Sequence, residues 1–267
     1  IDQYFSFGKY SAQIETDVED LPGNTVRIKI DVTEGDRAQI RQINIVGNNV
    51  FNDEDLLDQF KLQMPDWLSF IQQDDRYSRE DLQGDLETLE SFYLDRGYAN
   101  FTIDSAQVAI SPDKTGIFVT VNISEGDVYR LSDVKLTGEF VVPKEEIQRL
   151  VLAQPGQIFS QGLLTQATEL IKYRLGEDGY SFAEVQAIPE LDDETMEAKI
   201  VFYIQPKSRV YVRRVSFSDT TSINDEVLRR ELRQMEGGYM SKSRLERSKI
   251  RLQRLPFIED VEFDTIP

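Results

Sequence analysis

Four stretches of this chain are variations on one phrase, and a repeat of that length constrains the fold before any single residue does. They read IDQYFSFGKYSAQIE (1–15), LETLESFYLDRGYANFTID (86–104), ATELIKYRLGEDGYSFAEVQ (167–186) and, blurred, SKIRLQRLPFIEDVEF (248–263). Gly8, Gly97 and Gly179 occupy the same place in the first three, 89 and then 82 residues apart. Each follows an apolar helical pattern and precedes an alternating one, as expected of a glycine that closes a helix and turns the chain into a strand. Ser78 and Ser160 each lie 19 residues before the glycine, where a serine caps a helix N-terminus. From those caps Leu82 matches Leu164, Leu89 matches Ile171 and Tyr93 matches Leu175, one helical stripe written twice. In the last copy Ser241 is the cap, with Leu245 and Leu252 on the stripe. Its turn arrives at Pro256, about one helical turn early, so this helix must end without the glycine.

After each glycine, two alternating runs flank a polar turn, which predicts a β-hairpin: YSAQIETDV with VRIKIDV, ANFTIDSAQVAI with GIFVTVNI, and SFAEVQAI with AKIVFYI. TEGD (33–36), SEGD (124–127) and QPK (205–207) close the units. A short strand then follows (IRQINIVG, 40–47; LSDVKLTG, 131–138; VRRVSFSD, 212–219), and after it a first helix (DEDLLDQF, KEEIQRLV, NDEVLRRELRQM). Asn52 with Asp55 resembles a capping box, and Pro143 suits a first helical position. The unit is therefore strand–helix–helix–strand–strand. Residues 1–36 hold the back of one unit, 37–127 and 128–207 are complete, and 208–267 lack a last strand. The fold class is α+β, with tandem three-stranded sheets each covered on one face by two helices. Three strands cannot close a barrel, so an edge with unpaired N–H and C=O groups stays open to another extended chain.

Composition narrows the chemistry. The absence of cysteine removes disulfides, thiolate zinc and thiol catalysis, and the absence of histidine removes the commonest general base and metal ligand. A net charge of −18 argues against nucleic acid as a partner, and only 208–267 is basic, by +2. No run is long and apolar enough for a membrane helix, and the N-terminus lacks a signal-peptide layout, so the chain reads as soluble material or a soluble piece of something larger. Three acidic clusters (52–58, 72–76, 191–197) admit a carboxylate-hydrolase reading. Against it, the first lies at a helix start and the last in a hairpin turn, where acids are ordinarily structural. Trp67, the only tryptophan, is read as packing over the helix pair in preference to anchoring a partner. The tract LRRELRQMEGG (228–238) reads either as a solvated helix face ending at a glycine cap or as a docking surface. In it Glu236 stands near a helix end, where an acid is misplaced unless something basic meets it.

The unit order, the first strand with Ile43, Ile45, Gly47 and Asn48, the exit with Tyr93, Gly97 and Tyr98, and the EGD closure together resemble POTRA (polypeptide-transport-associated) domains. Longer phrases (INIVGN, GDLETL, YLDRGYA, VTVNI-x-EGD, VLRRELRQMEGG) resemble the arrays of the outer-membrane protein assembly factors of Gram-negative bacteria, from the back of a second POTRA to most of a fifth. Gly138-Glu139 and Ser218-Asp219 depart from the family's Gly-Asn after the first strand. The resemblance implies a non-enzymatic periplasmic scaffold with no cofactor and no metal, whose membrane contact runs through a barrel outside this sequence. It implies unfolded β-barrel precursors as partners, received by strand addition for folding and insertion into the outer membrane. The receiving edge would be Phe101, Thr102, Ile103, Asp104, Ser105, Val108 and Ile110. It also implies BamB-like and BamD-like accessory lipoproteins, the latter docking at Arg229, Arg233 and Glu236. Gly97 and Gly179, with Tyr98 and Tyr180, would be structural. An array from another polypeptide transporter, such as a two-partner secretion protein, is the alternative within the resemblance.

Overall fold

A computed structural model of the chain describes residues 2–23, 25–62, 77–218 and 223–264. It falls into two compact units divided after Val128. The first begins with helix α1 (Asp2–Ser6) and a hairpin of β1 (Gln13–Leu21) and β2 (Thr25–Thr33). Then come β3 (Gln39–Val46), α2 (Asp53–Leu57), α3 (Arg79–Leu94), β4 (Thr102–Ile110) and β5 (Gly116–Ser124), in a sheet of order β3-β5-β4. The second unit repeats the pattern with β6 (Arg130–Gly138), α4 (Lys144–Gln148), α5 (Gln161–Glu177), β7 (Glu184–Asp192) and β8 (Glu197–Gln205), ordered β6-β8-β7. It ends with α6 (Asp225–Glu231) and α7 (Lys242–Gln253). In each three-stranded sheet the central strand pairs parallel with the first strand and antiparallel with its hairpin mate. The parallel step is reached through a crossover that holds two described helices in each unit, as such pairing requires. Trp67 and the acidic run 72–76 lie outside the described residues.

Hydroxyl caps start the long helices. Ser78, Ser160 and Ser241 accept from the backbone N–H of Asp81, Leu163 and Arg244, and Asn52 accepts from Asp55 at the start of α2. Pro143 stands one position earlier than its sequence suits: it is the cap residue, with ψ of 132°, and α4 begins at Lys144. The repeated glycines end the helices identically. Tyr98 donates to the Tyr93 carbonyl (3.2 Å) and Tyr180 to that of Leu175 (3.1 Å), while Lys9 donates to Tyr4 (2.9 Å). That long back-bond over a glycine is a Schellman ending, and Gly97 and Gly179 supply the φ of +101° and +94° that it needs.

The stripes face inward. Leu56, Leu82, Leu89 and Tyr93 from the helices join Ile40, Ile43, Ile45, Ile117, Val119, Val121 and Ile123 from the sheet in one buried cluster. In the second unit Ile147, Leu164, Ile171 and Leu175 are buried, as are Ala198, Ile200, Phe202 and Ile204 of β8.

The last segment departs from the sequence pattern. Residues 212–218 form no strand, and the hairpin strand that holds β3 and β6 in place has no counterpart beside them among the described residues. Side chains bond part of this backbone instead. The Val215 N–H donates to Glu236 (2.7 Å) and its carbonyl accepts from Arg229 (2.8 Å). Helix α6 is also shorter than NDEVLRRELRQM implied. It stops at Glu231, and the Ser248 hydroxyl accepts from the N–H of both Arg233 and Gln234.

Gly97→Val is expected to destabilise the first three-stranded unit by about 1 kcal/mol or more, since a β-branched residue is poorly accommodated at positive φ. Thermal unfolding checks this, and an unchanged midpoint would contradict it.

Candidate functional site

The outer side of β4 is formed by a ladder that alternates between bonded and unbonded pairs. At the hairpin end Ser111 donates its N–H to the Gly116 carbonyl (2.9 Å), so that pair is bonded. Antiparallel alternation then makes 109:118, 107:120 and 105:122 bonded pairs, and 110:117, 108:119 and 106:121 unbonded ones. The N–H and C=O groups of Ala106, Val108 and Ile110 therefore point away from β5. The sheet order leaves no described strand on that side to receive them.

A register shift between Ile103 and Ser105 leaves Asp104 without an opposite residue. This bulge changes which side chains share a face. Ile103 lies opposite Ile123, but beyond the bulge it is Ala106, Val108 and Ile110 that lie opposite the core residues Val121, Val119 and Ile117. Those three point to the helical side without being covered: Val108 remains 36% exposed and Ile110 43%. Asp104 accepts from Ser124 (2.8 Å) and Thr102 (3.1 Å), which keeps its charge bonded at the strand's root. Ser105 accepts from the Asn122 side chain (2.8 Å), and its own N–H belongs to a pair bonded to β5.

The root of β4 is fastened to the helices. Phe101 is buried and stacks on Tyr93, with ring centroids 4.3 Å apart and planes within 9°. The Tyr93 hydroxyl donates to Glu125 (2.8 Å), the acid of the SEGD closure. Glu125 also accepts from the backbone N–H of Asn49 (2.8 Å) and Val50 (3.2 Å), in the turn between β3 and α2. One carboxylate thus ties together the end of β5, the end of α3 and the β3–α2 turn. Burial alone would push the Glu125 carboxyl up; the N–H of Asn49, the Tyr93 hydroxyl and further backbone donors outweigh it and hold it below its ordinary range. Burial, then the neighbouring Glu125, push the Tyr93 hydroxyl far up, so it stays a donor.

A family model described as POTRA, surface antigen variable number repeat, matches residues 38–126, 129–207 and 210–267. The chain belongs to the POTRA family. It is 31% identical over its whole length to the outer membrane protein assembly factor BamA of Neisseria meningitidis, of which it spans 34%. It is 30% identical over 98% of its length to BamA of Buchnera aphidicola, of which it spans 42%. The chain thus covers well under two thirds of these relatives. Among solved structures, Haemophilus influenzae BamA POTRA3-5 superposes with a TM-score of 0.72 at 28% identity, covering 84% of this chain and 88% of that one.

The first two matched POTRA domains differ in how they fasten the hairpin. The second has Leu175 where the first has Tyr93, and Pro206 where the first has Glu125. Hydroxyl and carboxylate are replaced together, so neither buried group is left alone. A different acid works further on in the second unit. Glu177, at the end of α5, accepts from the Ser243 N–H (2.7 Å) and from the hydroxyls of Ser243 (2.5 Å) and Ser241 (3.3 Å), at the first turn of α7. Nothing in the repeat singled it out, because it lies on a helix surface two residues before the shared glycine turn.

In the last POTRA match the structure answers the sequence argument about Glu236 from within the chain. Glu236 is not at a helix end, since α6 closed five residues earlier. It meets Arg229 (3.0 Å) and the Val215 N–H, and these hold its carboxyl below the ordinary range, the backbone bond first. Arg229 also pairs with Asp225 (2.7 Å). Arg230, Arg233 and Met235 are exposed, so the outward character of the tract is basic and apolar. The acidic clusters within the described residues are locally used: Asn52–Asp58 spans the start and end of α2, and Asp192 accepts from the N–H groups of Glu194 and Thr195 in the β7–β8 turn. No helix among the described residues is long and apolar enough to cross a membrane.

Glu125→Ala leaves the backbone N–H groups of the β3–α2 turn and the Tyr93 hydroxyl without their acceptor, and is expected to cost about 2–4 kcal/mol. Because the folded carboxyl is held below its unfolded value, this stabilisation is full above the ordinary carboxylate range and is lost as pH falls through the depressed value. In denaturant unfolding, the gap between wild type and variant should narrow as pH falls through and below the ordinary carboxylate range; a constant gap would contradict the assignment.

Proposed function

We propose that this array is a periplasmic, non-enzymatic scaffold of the outer-membrane β-barrel assembly machinery, which receives unfolded barrel precursors on the outer side of β4 by strand addition. The reading is carried by one observation: three consecutive outward N–H and C=O sets, at Ala106, Val108 and Ile110, on an uncovered edge. Backbone bonds supply affinity that any sequence can use, and alternating side chains supply mild preference. Barrel strands alternate apolar and polar residues, and the half-exposed Val108 and Ile110 offer contact to the apolar side of such a strand. Whole-chain similarity to BamA supports the setting. Precursor folding and insertion into the outer membrane belong to the complete protein, with membrane contact through its barrel. The two acidic clusters within the described residues serve a helix start and a hairpin turn, which favours a scaffold over a carboxylate hydrolase.

Accessory lipoproteins of the BamB-like and BamD-like kinds are the further partners of this reading, the latter at the tract holding Arg229, Arg233 and Glu236. Arg229 and Glu236 are engaged with the chain itself, which makes exposed Arg233 the residue to test. Arg233→Glu is expected to weaken co-purification with a BamD-like lipoprotein while leaving the fold intact. Undiminished capture would remove Arg233 from the contact.

The strand-addition reading is tested by titrating the isotope-labelled chain with a synthetic peptide of about ten alternating apolar and polar residues, the length and pattern of a barrel strand. Shifts are expected at 102–110. Proline at Val108 removes an outward donor without breaking a ladder bond, and is expected to abolish binding in a folded variant. Proline at Ser105 would break the bond to β5 and is the wrong probe. Shifts confined to the helices, or unchanged binding by folded Val108→Pro, would contradict the reading.

A further inference from the structure

The two three-stranded sheets correspond residue by residue along their central strands and, beyond the β4 bulge, along their edges, and the correspondence places a proline at the centre of one edge. Gln39 lies opposite Gly116 and donates to the Thr115 carbonyl (2.8 Å); Arg130 lies opposite Glu197 and donates to that of Met196 (3.0 Å). Val119 therefore matches Ile200. Across each antiparallel ladder, Val108 opposite Val119 matches Pro189 opposite Ile200.

We propose that Pro189 closes the outer edge of β7, so that of the two three-stranded sheets only the β4 sheet accepts an extended, unfolded segment. The proposal rests on the strand-addition reading and assigns which sheet performs it.

Three observations carry the assignment. First, the β7–β8 ladder runs from Glu184 to Asp192 with no register shift at Pro189. A residue without an N–H fits there because the matching position in β4 faces outward and owes its neighbour no bond. Second, where β4 offers outward donors at 106, 108 and 110, the matching stretch of β7 offers them at Ala187 and Leu191 but not between them, with Val185 one step before. Ala187 and Leu191 are four residues apart, about 13 Å along a strand. The pyrrolidine ring between them projects into the space of an added strand, whose backbone would lie only about 4.8 Å away. Third, charge lies along β7 more than along β4, whose one acid, Asp104, sits at the bulge. Glu184, Glu190 and Asp192 lie on β7, with Glu184 paired to Lys207 and Glu190 to Lys199 (2.6 Å). From Ser105 to Ile110, β4 has no charged residue. Proline and charge on an edge strand are the usual means of refusing strand addition.

The test uses the full 267-residue chain and the alternating peptide probe, with NMR shifts located by residue. In wild type, shifts are expected at 102–110 and not at 184–192. Pro189→Thr restores a donor with a strand-favouring residue, and is expected to add a second set of shifts at 184–192, raising the stoichiometry from one peptide to two. Pro189→Val repeats the test without a hydroxyl, and circular dichroism verifies folding. Wild-type shifts at 184–192, or folded Pro189 variants that gain none while β4 still binds, overturn this proposal alone. Loss of binding at both edges in every variant overturns the strand-addition reading together with it.

Discussion

In a three-stranded sheet the central strand can satisfy only half of an outer strand's backbone groups, and this arithmetic of the antiparallel ladder governs what the molecule can do. One bond, from the Ser111 N–H to the Gly116 carbonyl, sets the phase of β4 from Ile110 back to Ser105. From it follow the groups that hold the sheet together and those left facing out. The helices cover one face of the sheet and make the core, but they cannot reach the edge. Under the proposed function, holding many unrelated unfolded chains weakly is better served by backbone than by a shaped pocket.

An open edge is useful only if the strand that bears it stays in place. The first matched domain fastens β4 at its root with the Tyr93–Phe101 stack and the Glu125 carboxylate, which reaches three separate elements. The second domain replaces Tyr93 by Leu175 and Glu125 by Pro206, and it packs the same helix stripe without the buried polar pair. The two solutions are consistent with the cost of stranding either group by itself, which drives hydroxyl and carboxylate to be kept or lost together.

Much of this was legible in the sequence because it depends on local chemistry. Serine caps at 78, 160 and 241 and the glycine endings at 97 and 179 are set by residues adjacent in the chain. The β4 bulge was visible but unread: apolar residues fall at 101 and 103, then at 106, 108 and 110, and that change from odd to even is the extra residue. What local pattern cannot carry is partnership across the fold. Residues 212–218 have a strand's composition, but no described strand pairs with them. Glu236 looked stranded because its helix was read as longer than the seven residues it has. Glu125 and Glu177 bond to groups distant in sequence, so the EGD closure marked a turn without revealing its ties.

Amide hydrogen exchange along β4, with and without the alternating peptide, tests the central claim most directly. The account predicts protection that alternates in the free chain: slow at Ser105, Gln107 and Ala109, fast at Ala106, Val108 and Ile110. On adding peptide, the three fast amides should slow while the others hold. Uniform protection in the free chain, or fast amides unmoved by saturating peptide, would contradict it.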